Sequence, residues 1–217
     1  TAQTITLEGN PHLLLPHTPF ETALLRNMGF DAPAPILVNY EWPGHSRPFD
    51  VQRKTGALMT MNERAYVLNS MGTGKTKSAL WSLDYLMSAG VISKALVVAP
   101  LSTLQFTWQR ESFMTVPHRK TAVLHGDKKK RLERLADPEI DIFLINHDGL
   151  KVVIDEITRR GDIDCLVIDE LSVYRNGTSD RTKTIRKLAE RMKYVWGMTG
   201  SPIPNAPTDA WGQASVP

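Results

Sequence analysis

Apolar positions divide the chain into two regimes. From Ala65 onward, short runs rich in β-branched residues alternate with longer amphipathic stretches. The runs predict strands at 65–69, 94–99, 121–125, 140–146, 163–169 and 194–198. The stretches predict helices at 75–89, 102–114, 127–136, 149–160 and 181–192. Near-continuous runs such as Ala95-Leu96-Val97-Val98-Ala99 and Cys165-Leu166-Val167-Ile168 suit strands covered on both faces. Strand and helix in alternation predict an α/β domain with a doubly wound, mostly parallel sheet. Upstream, residues 1–46 carry short apolar pieces broken by six prolines and read as a small accessory region. Thr18 is expected to cap a helix there, with Pro19 in its first turn and Gly29 just past its end. Arg47-Pro48-Phe49-Asp50-Val51-Gln52 then opens an amphipathic helix to about Met61.

Composition narrows the picture only slightly. With 26 basic and 23 acidic residues the net charge of +3 permits a nucleic-acid partner but does not argue for one. The single cysteine, Cys165, cannot form an internal disulfide and reads as a small buried hydrophobe, which fits a reducing, cytoplasmic setting. No apolar run approaches the roughly 18 residues of a membrane span. His12, His17 and His45 are too scattered for a metal site.

Ligands of a doubly wound sheet gather outside the carboxyl ends of its strands, and the unusual residues of this chain fall there. After the run Ala65–Leu68 comes Asn69–Thr76, NSMGTGKT, followed by a helical pattern. Strand, glycine turn, Lys-Thr and helix make a phosphate-binding loop. Gly-x-Gly-Lys-Ser/Thr arises by chance in on the order of one chain in a hundred of this length. Gly72 and Gly74 let backbone N–H groups close around a polyphosphate, Lys75 reaches the terminal phosphates, and the Thr76 hydroxyl ligates Mg²⁺. The expected ligand is a magnesium nucleoside triphosphate, although Asn69 stands where the general pattern has glycine.

Asp169-Glu170 closes a buried strand. In a chain with a phosphate loop such a pair is expected to hold Mg²⁺ through Asp169 and to deprotonate the attacking water through Glu170. Strand 194–198 runs into Thr199-Gly200-Ser201-Pro202, whose hydroxyls are placed to bond the acidic pair and sense the nucleotide. Gln52 carries an amide that both donates and accepts, as reading an adenine edge requires; a surface glutamine is the competing reading.

Phosphate loop, Asp-Glu and Thr-Gly-Ser-Pro in this order resemble the first motor lobe of superfamily 2 helicases, most closely the Swi/Snf-type duplex-DNA translocases of phage and bacterial kind. The resemblance runs from about residue 47 to the end and implies a three-layer RecA-like P-loop NTPase domain over 47–217. It implies ATP and Mg²⁺ as ligands and Lys75, Asp169 and Glu170 as the catalytic set. Arg47 and Gln52 resemble the adenine-reading segment, and Met71, Gly72, Thr73, Gly74, Lys75 and Thr76 the first motif. Ser102 and Thr103, in a segment that includes Trp108, and His147 and Asp148 match segments that face nucleic acid in relatives. Ser172, Thr199, Gly200 and Ser201 stand at positions that couple hydrolysis to movement, with Ser172 where many relatives have His. A second lobe, expected C-terminal to this chain, would complete both the ATP site and the DNA track, so the chain alone is expected to be weakly active. Duplex DNA is the expected partner and a membrane is not. An RNA helicase, a restriction-enzyme motor lobe and a nucleotide-gated binding module without turnover stay open as alternatives. The basic clusters at Lys128–Arg134 and Arg181–Lys193 read equally well as solvated helix faces, and Trp108 reads as a core aromatic in preference to a stacking platform for a base.

Overall fold

The computed structural model describes residues 2–200 and 207–217. The chain opens with an exposed hairpin, β1 (Gln3–Leu7) against β2 (Asn10–Leu14). Its two-residue turn, Glu8-Gly9, has positive φ at both positions (52° and 80°), the turn whose twist matches a hairpin. The sequence had shown only apolar pieces here, because Glu-Gly lacks the usual Asn-Gly or Asp-Gly signal. Helix α1 (Pro19–Asn27) follows as expected, its Thr18 hydroxyl accepting from the Glu21 N–H. The short α2 (Pro35–Asn39) and α3 (Asp50–Met61) lead to the sheet.

The sheet strands are β3 (Arg64–Val67), β4 (Lys94–Ala99), β5 (Thr121–Val123), β6 (Ile142–Asn146), β7 (Ile163–Asp169) and β8 (Tyr194–Met198). Between them run α4 (Lys75–Ser88), α5 (Leu101–Thr103), a π-helical turn (Leu104–Gln109), α6 (Arg110–Thr115), α7 (Lys128–Leu135), α8 (Leu150–Arg159), a 3₁₀ turn (Leu171–Tyr174) and α9 (Asp180–Ala189). Helix α10 (Pro207–Ala214) closes the chain. Strand order is β3-β8-β7-β4-β6-β5 and every pairing is parallel. The expected α/β class is therefore what the chain adopts. No helix of the described residues is long and apolar enough to cross a membrane.

Strand periodicity sorts the core into two layers. Ala95, Val97, Ala99, Cys165 and Val167 face one layer with α4, and Leu96, Val98, Leu166 and Ile168 face the other with α8 and α9. Burial pushes the Cys165 thiol well above its ordinary value, so it behaves as an inert apolar group.

Part of the region upstream of residue 47 joins this core. Ala34 and Ile36 are fully covered within the α4 layer. Trp42 stands edge-on to Trp81, with ring centroids 5.6 Å apart, and the Trp81 indole N–H donates to the Pro43 carbonyl at 2.9 Å. Asp84, 2% exposed on α4, accepts from Tyr40 (2.6 Å) and Arg119 (2.6 Å) and lies 2.7 Å from His118. At the sheet's β5 edge, Arg131 and Arg134 of α7 donate to the Leu124 and Val123 carbonyls at 2.8 Å each. Those two cations are thus occupied in closing the edge, whereas Lys129 projects into solvent.

Candidate active site

Register sets the site. Val67 and Asp169 both pair with Met198, so the ends of β3, β8 and β7 lie level and side by side. The loop after β3, residues 199–200 after β8 and the pair Asp169-Glu170 after β7 therefore share one edge. The Thr199 N–H donates to the Val67 carbonyl at 3.1 Å, which ties β8's exit to the root of the glycine loop.

Within that loop Gly72 and Gly74 adopt φ of 78° and 77°. Gly74 is the N-cap of α4, with no side-chain cap and no acidic residue in the first turn. The helix therefore starts with unopposed N–H groups and the positive end of its dipole, which is a site for an anion. Lys75 Nζ donates to the Asn69 and Ser70 carbonyls at 2.8 and 3.1 Å. Thr76 is half-buried, and Met71 is 85% exposed at the loop's crest. Thr73 Oγ1 closes the turn by donating to the Ser70 carbonyl. Asn69, off the general pattern, braces the loop: its amide donates to Thr55 Oγ1 at 2.7 Å on α3.

Gln52 is 4% exposed. Its Oε1 accepts from the Phe49 N–H at 2.9 Å, capping α3, and its Nε2 donates to the Thr73 carbonyl at 3.3 Å. The amide thus locks α3 to the glycine loop. A Cβ on Gly74 would sit 2.1 Å from Nε2. Arg47, expected beside it, is exposed to solvent.

Glu170 takes a left-handed conformation, φ 57°, which turns the chain sharply off β7 into the 3₁₀ turn. For a residue with a Cβ this costs on the order of 1 kcal/mol. Its Oε1 accepts from Ser172 Oγ at 2.5 Å and from Thr199 Oγ1 at 3.1 Å. The expected coupling residues Ser172 and Thr199 thus meet on one carboxylate oxygen. Close packing explains the neighbouring glycine, since a Cβ on Gly197 would lie 2.5 Å from Leu171 Cδ2. Gly200 approaches Met71 of the glycine loop, whereas Ser201 lies outside the described residues.

Asp169 is largely enclosed. Its Oδ2 accepts from the Trp108 indole at 2.8 Å and its Oδ1 from the Glu170 N–H at 3.1 Å. Burial raises its carboxyl above the ordinary range, and the Trp108 bond opposes that rise. Lysine, helix N-terminus and glycine turn fit a polyphosphate; a carboxylate and a hydroxyl, both hard oxygen donors, fit Mg²⁺. Trp108's bond escaped the sequence reading, which offered only stacking or core roles for an indole.

The expected nucleic-acid residues separate into two groups. Ser102 is exposed at the start of the helical segment after β4, and Thr103 turns its hydroxyl onto the Pro100 carbonyl at 2.9 Å. His147 is half-buried, its Nδ1 2.9 Å from Tyr174 Oη, and its Nε2 has no hydrogen-bond partner among the described residues. Burial first, and the Arg181 charge second, push its imidazole down to about 4. Asp148 is exposed and bonded to Arg181 of α9.

A family model described as SNF2-related domain matches residues 59–213. The chain belongs to this family. A putative protein p41 of Acyrthosiphon pisum secondary endosymbiont phage 1 is 32% identical over 160 residues, covering 70% of this chain and 35% of that protein. The ISWI chromatin-remodeling complex ATPase ISW2 of Saccharomyces cerevisiae is 29% identical over 178 residues (77% of this chain, 15% of the relative). The ATP-dependent DNA helicase DDM1 of Arabidopsis thaliana is 27% identical over 150 residues (66% and 19%). Among solved structures, the Sulfolobus solfataricus SWI2/SNF2 ATPase core in complex with dsDNA superposes with a TM-score of 0.65 at 24% identity, covering 81% of this chain and 36% of that one. The same core domain by itself gives 0.64 at 25% identity, covering 80% and 35%. The SNF2-related chain thus has the RecA-like α/β fold of these motor cores and spans 36% or less of the chains just described.

Proposed function

We propose that this chain is the ATP-binding lobe of a DNA-dependent ATPase that converts hydrolysis into movement along duplex DNA. The observation that carries the reading is the grip on Glu170: hydroxyls from its own turn (Ser172) and from the end of β8 (Thr199) converge on Oε1, beside the glycine loop. With Oε1 so engaged, proton uptake from water falls to Oε2. A shift of the 199–200 segment would move that base, which is how a nucleic-acid contact can be felt by the chemistry.

Magnesium-ATP, when bound, supplies the anhydride to be cleaved and a divalent charge that offsets the phosphates. Lys75 would exchange its two loop carbonyls for phosphate oxygens, trading neutral acceptors for charged ones. The first N–H groups of α4 would hold the same anion. Thr76 and Asp169 would carry the cation. Gln52 and Arg47 would frame the base, with Gln52 also fixing the loop's shape. Ser102, Thr103, His147 and Asp148 would border the DNA.

A C-terminal second lobe would complete the arginine set, whose absence can cost on the order of 10³- to 10⁵-fold in rate. This lobe alone would then turn over slowly. Action on DNA puts the protein in the cytoplasm or nucleoid, of the host if it is phage-encoded. Support for duplex DNA over RNA comes from the SNF2 family membership and from the similar Sulfolobus solfataricus SWI2/SNF2 ATPase core, which is in complex with dsDNA. The test is displacement of a third strand from triplex DNA by the whole protein. ATP-dependent displacement, lost in Glu170→Gln, is expected. ATP-dependent change in DNA affinity with neither displacement nor hydrolysis would replace a motor with a nucleotide-gated binding module.

A further inference from the structure

We infer that Trp108 is a positioning residue for the metal-binding carboxylate, holding Asp169 in the one orientation from which it can serve Mg²⁺. The inference rests on the ATPase reading above and deepens it. Trp108 is fully buried, and its only indole polar group ends on Asp169 Oδ2 at 2.8 Å. A hydrogen bond to a charged acceptor is about twice as strong as one between neutral groups, and a buried indole N–H without a partner is costly. Asp169 and Trp108 therefore fix each other. The other carboxylate oxygen receives the N–H of Glu170, so both oxygens are pinned and the plane of the carboxylate is set.

The backbone around Trp108 is irregular. Residues 101–115 run as a nearly continuous helix, yet Leu104–Gln109 is π-helical, with the Arg110 N–H reaching back to the Gln105 carbonyl. One extra residue in a turn rotates the preceding side chains by about 100° relative to a regular α-helix. In this register Leu104 and Trp108 are buried while Phe106, two residues before Trp108, is 81% exposed. Spaced four apart, Leu104 and Trp108 share the buried face in this winding as they would in a regular α-helix. The π-helical turn marks the segment that carries the indole bonded to Asp169, and such turns are frequent at functional sites.

Trp108→Phe keeps an aromatic ring and removes only the donor. In the whole protein, affinity for a fluorescent ATP analogue in EDTA should stay within about twofold of the unaltered protein, because Lys75 and the α4 N-terminus are untouched. The gain in affinity on adding Mg²⁺ should shrink, and the Mg²⁺ needed for half-maximal ATPase should rise, each by about tenfold, as for other partners that orient a metal ligand. Unchanged Mg²⁺ dependence in a folded variant overturns the proposal while leaving the ATPase reading intact. Absence of ATP binding or hydrolysis in the unaltered protein removes both. If Trp108→Phe does not fold, the Trp108 indole N–H resonance of the unaltered protein decides. It should move during titration with magnesium-nucleotide more than with nucleotide in EDTA. Equal movement in the two titrations means a bond that serves folding only.

Discussion

Gly72 and Gly74 provide a matched pair for testing how the glycine loop is built. Their φ values, 78° and 77°, are nearly equal, so alanine at either position pays the same left-handed conformational cost of about 1–2 kcal/mol. Their surroundings differ. A Cβ at Gly72 meets nothing within 4 Å, whereas at Gly74 it would lie 2.1 Å from Gln52 Nε2 and 3.2 Å from Gln52 Cδ. The Gln52 amide would have to leave, surrendering its bonds to the Phe49 N–H and the Thr73 carbonyl. At about 1 kcal/mol for each bond, Gly74→Ala should be roughly 2 kcal/mol worse than Gly72→Ala. Urea denaturation of the unaltered chain and the two glycine variants, together with Gln52→Ala and the double variant Gln52→Ala/Gly74→Ala, gives the coupling energy directly. Removing Gln52 should erase most of the difference. Equal destabilisation by the two glycine substitutions, or simple additivity in the double variant, would refute the claim that Gln52 buttresses the loop.

Other consequences follow from the same geometry. Thr199→Val removes one of the two hydroxyls on Glu170 while keeping the side chain's volume; kcat should fall about tenfold with KM for ATP little changed, as steady-state kinetics in the whole protein will read. Asp84→Ala strands Tyr40 and Arg119 and should cost about 3 kcal/mol in denaturant unfolding, whereas Lys120→Ala, in an exposed pair with Glu139, should change stability negligibly. His147 is held neutral, its folded value near 4 against an unfolded value of 6.5, so the unfolded chain binds the extra proton between those limits. Stability from this group is therefore full above about 6.5 and is lost as pH falls towards 4. Roughly 3 kcal/mol is at stake. Comparing unfolding of the unaltered chain and His147→Asn at pH 7.5 and 5 should show a shallower pH dependence in the variant.

What the sequence disclosed and what it hid divide along physical lines. The sheet strands were legible because β4 and β7 are buried on both faces and so read as unbroken apolar runs; even the short β5 stood out between polar stretches. The glycine loop and Asp169-Glu170 were legible because each chemistry needs fixed residue types at fixed spacing. The β1–β2 hairpin was not, since Glu8-Gly9 carries a weak turn signal and its strands are exposed, leaving no clean alternation of buried and exposed positions. The core role of Ala34 and Ile36 was hidden by prolines that suggested a separate region. Gln52 was singled out for its amide, but its bond to the Thr73 carbonyl joins residues 21 apart, and the Trp108–Asp169 bond spans 61. Contacts at such separations follow from topology, which periodicity along a single chain does not encode. A signal for Trp108 did exist: a large aromatic with one polar atom, predicted on a buried helix face, must find an acceptor.

The measurement that bears most directly on the central claim is the ATPase rate of the whole protein with duplex DNA, single-stranded DNA, RNA or no polymer, beside the same protein carrying Glu170→Gln. A motor on duplex DNA predicts strong stimulation by duplex DNA, weak stimulation by the single strands, and loss of turnover with retained ATP binding in Glu170→Gln. A rate indifferent to every polymer, or turnover that survives Glu170→Gln, would contradict it.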